Sequence, residues 1–375
     1  MTREVVSNPI EQARIAGLRR LMEHRRIAVL TDGFSTPFLA KTAIGLLRYR
    51  TADVAAVIDR EHAGKDAMEL FGAGKGIPVV RELSEVAKAD AVYLGIAPPG
   101  GQCPSAWREI ILAATRRGLD VVSGLHDFLL DHADYVQASR DSSGQLIDVR
   151  RNQWKTTGTG TLFPQSGVRI HTVGHDCSVG KMVASIELVR GLQQAGENAT
   201  FLATGQTGIM ISGNGLPIDC IVADFVNGAA ERLILDHAAS TFLVIEGQGS
   251  ISHPAFSAVT AGLLHGCAPH GIIFCYEAGR SLVKGLTDVP IPPLADQLRL
   301  NLAMANTRFP CELIGFAINT RLIAAAEAEA EIARIEAEFS VPACDVYRHG
   351  PAKLVAASLA LRNKVCPPCS SPRTA

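Results

Sequence analysis

The stretch RIHTVGHDCSVGKMVAS, residues 169–185, decides the reading of the chain. β-rich residues run up to Val173, Gly174 and Gly180 bound a tight loop, and Lys181 opens a helical pattern. Glycines let the backbone wrap until several N–H groups converge, the following helix adds its positive end, and lysine adds a full charge. Strand, glycine turn, Gly-Lys and helix together make a phosphate cradle. Two features depart from the nucleotide pattern G-x4-G-K-[ST]. Five residues separate Gly174 from Gly180, and Met182 stands where Ser or Thr normally coordinates magnesium. A thioether is too soft for that cation. The loop residues expected to bind phosphate are Gly174, His175, Asp176, Cys177, Ser178, Val179, Gly180, Lys181 and Met182. Such a loop favours a ligand whose phosphates are a handle and whose reaction occurs elsewhere. Coenzyme A is such a molecule. No metal is expected, although a carboxylate could still hold one.

Outward from this loop, the second half of the chain repeats an α/β rhythm. ATFLATG (199–205), TFLVIEG (241–247), GIIFCYE (271–277) and CELIGFAIN (311–319) read as strands, and residues 180–196 and 324–340 as helices. The first half has the same texture. Strands are expected at 26–32, 54–59, 91–101 and 119–126, with helices at 37–50 and 105–118. The strands are near-continuous Val, Ile and Leu, as parallel strands buried on both faces require. The fold class is therefore α/β: a parallel-sheet N-terminal domain over residues 1–150, a Gly/Thr-rich linker at 151–168, and a C-terminal domain at 169–360. Residues 361–375 read as a disordered tail.

Composition narrows the function. The 375 residues carry a formal net charge of −1, which gives nucleic acid or an anionic membrane no reason to bind. A hydrophobic share of 47% supplies a substantial core, yet no apolar run is long enough to span a membrane. The N-terminus lacks an apolar signal core, so a cytoplasmic protein is expected. Nine cysteines, several inside apolar runs, read as buried free thiols. The close pair Cys366 and Cys369 has no second pair or histidine to complete a zinc site.

Chemistry-bearing residues gather at expected strand ends, where open α/β sheets bind ligands. Residues 204–231 carry Thr204, Gln206, Thr207, Asp219, Asp224 and Glu231, and residues 245–256 carry Glu246, Gln248, Ser250 and His253. Glu246, directly after an apolar strand, is the first candidate base, with Asp224 and His253 next. Thr204, Gln206, Thr207 and Gln248 are expected to line the substrate, and Arg280 to hold a substrate carboxylate. The backbone at 247–249 is a candidate oxyanion hole. His126 and His265 read as structural.

GHDCSVGKMVAS and IEGQG resemble the phosphate loop and strand end of dethiobiotin synthetase-like P-loop proteins. The chain more closely resembles a family long catalogued only as a domain of unknown function, whose members include the D-glutamate N-acetyltransferases. The carrying stretches are AKTAIGLLRYR, VIDREHAGKDA, LGIAPPGG, SGLHDFL, IDVR, GHDCSVGKM, residues 204–231, residues 245–266 and AINT, together spanning roughly residues 20–355. The resemblance implies a Rossmann-like N-terminal domain and a P-loop NTPase-like C-terminal domain. It implies acetyl transfer from acetyl-CoA to the amino group of D-glutamate, a step of amino-acid catabolism, with a small-molecule substrate as partner and a homo-oligomer as the expected assembly. The alternatives are an ATP-dependent ligase or kinase, with Asp224 and Glu246 on magnesium, and a non-enzymatic nucleotide or coenzyme A sensor.

Overall fold

The computed structural model describes residues 9–161, 163 and 167–366. They form two compact units. The first contains residues up to Trp154 together with Gly205–Cys220, and the second contains Lys155–Thr204 and the chain from Ile221 onward.

The first unit runs α1 (Pro9–Leu21), β1 (Ile27–Leu30), α2 (Lys41–Tyr49), β2 (Val54–Ile58), α3 (Ala67–Phe71), β3 (Val79–Val80), β4 (Ala91–Leu94), α4 (Arg108–Arg116), β5 (Asp120–Ser123), α5 (Ala133–Arg140) and β6 (Leu146–Asp148). Its strands make one parallel sheet in the order β3-β2-β1-β4-β5-β6. The chain leaves β1 in one direction and returns beside it as β4, which creates a crevice at the carboxyl ends of those strands. Side chains at alternate strand positions, among them Leu30, Ile58, Val92 and Leu94, pack with Trp107 and Ile111 into one core. Trp107 is fully buried, and its indole N–H donates to the Asp32 carbonyl at 3.0 Å.

The second unit contains β7 (Val168–Gly174), α6 (Lys181–Gln194) and β8 (Ala199–Leu202). After α7 (Gln206–Ser212) it continues with α8 (Ala223–Leu235), β9 (Phe242–Ile245), α9 (Ser257–Cys267), β10 (Gly271–Glu277), α10 (Leu294–Asn306), β11 (Glu312–Asn319), α11 (Ala325–Phe339), β12 (Ala343–Cys344) and α12 (Ala352–Val365). Its strands are also all parallel, ordered β12-β11-β10-β7-β9-β8. β7 is central, so the loop after it opens at the switch between its two neighbours. Phe274, Tyr276, Phe316, Ile332 and Ile335 fill the core on one face.

Three differences from the sequence reading have physical causes. The segment Gly205–Cys220 was expected in the C-terminal domain, but it clusters with the first unit. There α7 packs against α2, Thr42 and Thr207 share a hydroxyl hydrogen bond of 3.0 Å, and Arg50 donates to the Met210 carbonyl at 3.2 Å. The expected linker is anchored at its centre. Glu231 of α8 accepts the backbone N–H groups of Thr159 and Gly160 and the Thr159 hydroxyl, and Gly228 lets the Thr156 carbonyl approach α8. The expected tail begins too early, because α12 runs to Val365 with its own Leu361 buried. Cys369 and the rest of that tail lie outside the described residues. The eight described cysteines carry free thiols. Among the described residues no helix is long and apolar enough to cross a membrane.

Replacing Trp107 with alanine removes a fully buried indole and its hydrogen bond, and should destabilise the protein by about 3–5 kcal/mol in urea unfolding. A second outcome concerns acid. His171 of β7 is fully buried, with Nδ1 3.2 Å from the Ile245 carbonyl oxygen and Nε2 without a partner. Burial pushes its pKa down to about 4, and that of His175 also to about 4. Between these values and 6.5, the ordinary value, the unfolded chain binds protons that the folded chain does not. Stability is therefore complete above that range and falls as pH drops through it, by up to about 1.4 kcal/mol per pH unit per histidine. His171→Phe should flatten the slope of unfolding free energy over this interval; an unchanged slope would show that His171 does not stay neutral.

Candidate functional site: a phosphate loop on a buried ion cluster

Gly174 ends β7 where the backbone turns hard against β10. A Cβ there would stand 2.6 Å from the Cys275 carbonyl oxygen and 2.9 Å from the Val179 side chain. Ser178 (φ 58) and Gly180 (φ 106) take left-handed backbone, which folds the loop back onto the start of α6. Of the loop residues, His175, Asp176 and Val179 are buried, whereas Ser178 is exposed and Cys177, Gly180 and Met182 are half-buried. The first group shapes the loop and the second surrounds its mouth.

Asp176 is the hub, with no exposed surface. Its Oδ1 accepts the Cys177 N–H at 2.6 Å, and its Oδ2 accepts the Lys284 N–H at 2.8 Å and Arg280 Nη1 at 2.8 Å. Arg280 also donates to the Cys177 carbonyl at 2.9 Å and through Nε to Glu277 at 2.6 Å. Glu277, itself buried, is bonded further by Arg321 and Asn319. Arg280 was expected to hold a substrate carboxylate. The structure instead spends its guanidinium on two carboxylates of the protein, because burial at this position tolerates a cation only when it is paired. His175 is likewise internal: its N–H donates to the Cys275 carbonyl at 3.1 Å, and its Nε2 accepts the Glu277 N–H at 3.2 Å.

Lys181 is buried, and burial lowers its pKa. Its ammonium donates to the carbonyls of Asp176 and Gly249, each at 2.8 Å. This pair of contacts ties the phosphate loop to the loop after β9. Gly247 makes that approach possible, since a Cβ there would meet the Thr172 carbonyl oxygen at 1.7 Å and the Lys181 stem at 2.9 Å. The Gly247 N–H already donates to Thr172 Oγ1 at 2.9 Å, which removes it from the expected oxyanion hole. The next hydroxyl along α6 after Met182, Ser185, is fully buried and donates to the Lys181 carbonyl at 3.0 Å, so it does not replace the missing magnesium ligand.

Glu246 directly follows β9 and is buried, at 7% exposure. Its carboxylate accepts the Thr204 N–H at 2.9 Å, while the Thr204 hydroxyl donates to the Glu246 carbonyl at 2.9 Å. Gln248 donates to the Thr204 carbonyl. Thr204, Glu246 and Gln248 therefore meet. His253 sits beside the phosphate loop, its Nε2 buried without a hydrogen-bond partner and 3.6 Å from Asp176 Oδ1. Its Nδ1 accepts the Ala255 N–H at 3.1 Å, so the proton of the neutral ring is on Nε2. In that form His253 offers a donor rather than the expected base. Asp176, Cys177 and His253 bring metal-ligating atoms within 4.8 Å of one another, but the Arg280 guanidinium on Asp176 opposes a cation there.

The remaining candidates have partners of their own. Asp224 lines a groove of about 440 Å³ with Asn227, Glu231, His265 and Arg308, along α8 and α9. Gln206 and Thr207 belong to the first unit, where Gln206 accepts from Arg150 at 2.7 Å. The sequence reading missed the Asp176–Arg280–Glu277 cluster as such. No local pattern joins residues 104 positions apart, although the strand-end stretch EAGR was a visible signal.

A family model described as the P-loop domain of DUF1611, a domain of unknown function, matches residues 156–355, and its Rossmann-like companion matches residues 60–152. The chain is 38% identical over 277 residues to a D-glutamate N-acetyltransferase of a Pseudoalteromonas species, covering 73% of this chain and 83% of that one. It is 34% identical over 325 residues to a D-glutamate N-acetyltransferase of Tritonibacter scottomollicae, covering 86% and 95%. A crystal structure of a DUF1611 family protein from Anabaena variabilis superposes with a TM-score of 0.84 at 33% identity, over 90% of this chain and 99% of that one. With a Rossmann-like first domain and a P-loop second domain, the chain belongs to the DUF1611 family.

Proposed function

We propose that the protein is an N-acetyltransferase that moves the acetyl group of acetyl-CoA to the amino group of D-glutamate. The relatives' names support the reaction class and the acceptor. The observation that carries the donor is the loop itself. It sets a helix N-terminus and the Lys181 charge behind a left-handed turn, while the magnesium position holds Met182. Such a site fits phosphates that stay bound and unreacted. Asp176 would repel them, but Arg280 and two backbone N–H groups neutralise its carboxylate. In this reading the loop from Gly174 to Lys181 holds the coenzyme's phosphates. The reaction forms a C–N bond and breaks a C–S bond, and the acceptor amine, protonated at neutral pH, must lose a proton first.

Purified protein with acetyl-CoA and a panel of D- and L-amino acids, followed by thiol release, tests both halves. D-Glutamate should be the fastest acceptor, without nucleotide and in the presence of a chelator. Lys181→Ala should raise KM for acetyl-CoA by about tenfold or more and leave KM for the amine unchanged. Turnover that requires ATP, or an unchanged KM for acetyl-CoA in the variant, would contradict the reading.

A further inference from the structure

The first unit contains a cluster of reactive side chains that the phosphate loop does not use. It lies where the loops after β4, β5 and β6 come together, the end of the sheet at which α/β folds bind ligands. Cys220 Sγ is 3.3 Å from His126 Nδ1, and His126 Nε2 is 3.8 Å from Asp219 Oδ2. Thiol and carboxylate thus face opposite nitrogens of one imidazole, the order of a nucleophile, its base and the group that orients the base. Arg150 fixes the carboxylate with two donors, Nη2 at 2.8 Å and Nε at 3.1 Å from Asp219 Oδ2. The same guanidinium donates to the Gly124 carbonyl and to Gln206.

The backbone around the cluster is cut to fit. The Gly101 carbonyl accepts the His126 N–H at 2.9 Å, and a Cβ at Gly101 (φ +64) would stand 2.5 Å from the His126 ring. A Cβ at Gly124 would stand 2.7 Å from the Gln206 side chain. The imidazole remains 44% exposed and Cys220 is half-buried, so a ligand can reach both. Burial and the Arg150 charge keep His126 below its ordinary pKa, so at neutral pH it is a free base. Burial also holds the thiol protonated until the base takes its proton. Arg150 beside Asp219 makes the same cluster a poor place for a metal ion.

We propose that Cys220, His126 and Asp219 form a nucleophilic centre in which the Cys220 thiol accepts an acyl group from a thioester. His126 Nδ1 takes the thiol proton as Sγ attacks the carbonyl. The carbonyl–sulfur bond of the donor then breaks, and its leaving thiolate recovers that proton. A neutral amine next attacks the Cys220 thioester, gives its proton to His126, and the Cys220 thiolate leaves and is reprotonated. No oxidant or reductant enters. Asp219 is a positioning residue: at 3.8 Å from Nε2 its carboxylate acts on the ring through its charge, and that charge favours the tautomer with Nδ1 free. Acetyl-CoA as donor rests on the function proposed above; the reactive thiol does not.

Two measurements on the full-length protein separate the two. In the first, protein mixed with acetyl-CoA without amine is quenched in acid and digested. A burst of free thiol and an S-acetyl group on the peptide containing Cys220 are expected, both lost in Cys220→Ala and slowed about a hundredfold or more in His126→Asn. In the second, iodoacetamide should alkylate Cys220 ahead of Cys103, and His126→Asn should remove that advantage. Amine acetylation at the wild-type rate in Cys220→Ala would overturn the nucleophilic centre while leaving the proposed function intact. Preferential, His126-dependent alkylation in a protein that never uses acetyl-CoA would support the centre and refute the donor. Equal labelling of both thiols, or a bound zinc ion that shields Cys220 until it is chelated, would overturn the centre.

Discussion

The second domain depends on one buried ion pair. Asp176 and Arg280 meet at 2.8 Å inside the phosphate loop, with the Asp176 side chain fully buried. A carboxylate placed among groups meant to attract phosphate would defeat the loop if it stood alone. Neutralised, it becomes scaffold, since its oxygens tie the Cys177 and Lys284 N–H groups and its carbonyl anchors Lys181. The lysine ammonium passes the constraint on to Gly249. Loops after β7, β9 and β10 are thus held by charge-assisted hydrogen bonds, which are stronger than neutral ones.

Under the proposed function, this arrangement explains how the loop can depart from the nucleotide pattern and still hold a phosphate. Magnesium chemistry needs a hard ligand next to the lysine, and Met182 supplies none. Holding a phosphate needs only converging N–H groups and positive charge, which the left-handed backbone at Ser178 and Gly180 and the start of α6 provide. Reaction and grip can therefore be separated, as a coenzyme with phosphates at one end and a thioester at the other requires.

Local patterns were legible in the sequence. The strand before Gly174, the glycine-bounded loop and the helix from Lys181 each announce themselves within a few residues, and the buried parallel strands show as Val/Ile/Leu runs. Interactions between distant residues were not. Arg280 looked like a substrate ligand because nothing near it in sequence reveals Asp176. The contact between His126 and Cys220 was hidden in the same way, since the two lie 94 positions apart. The strands β3, β6 and β12 span only two or three residues, too short for any periodicity to register. Residues 205–220 read as part of the second domain because they follow β8. Their packing on α2, through Thr207 and Met210, is what assigns them to the first.

The most direct test of the central claim is calorimetric titration of the protein with coenzyme A in the presence of a chelator, repeated with Arg280→Met. A loop that grips phosphate through backbone and lysine, with Asp176 silenced by Arg280, predicts binding of coenzyme A that is indifferent to magnesium and weakened by the substitution. Binding that appears only when magnesium is added, or that is untouched in Arg280→Met, would contradict it.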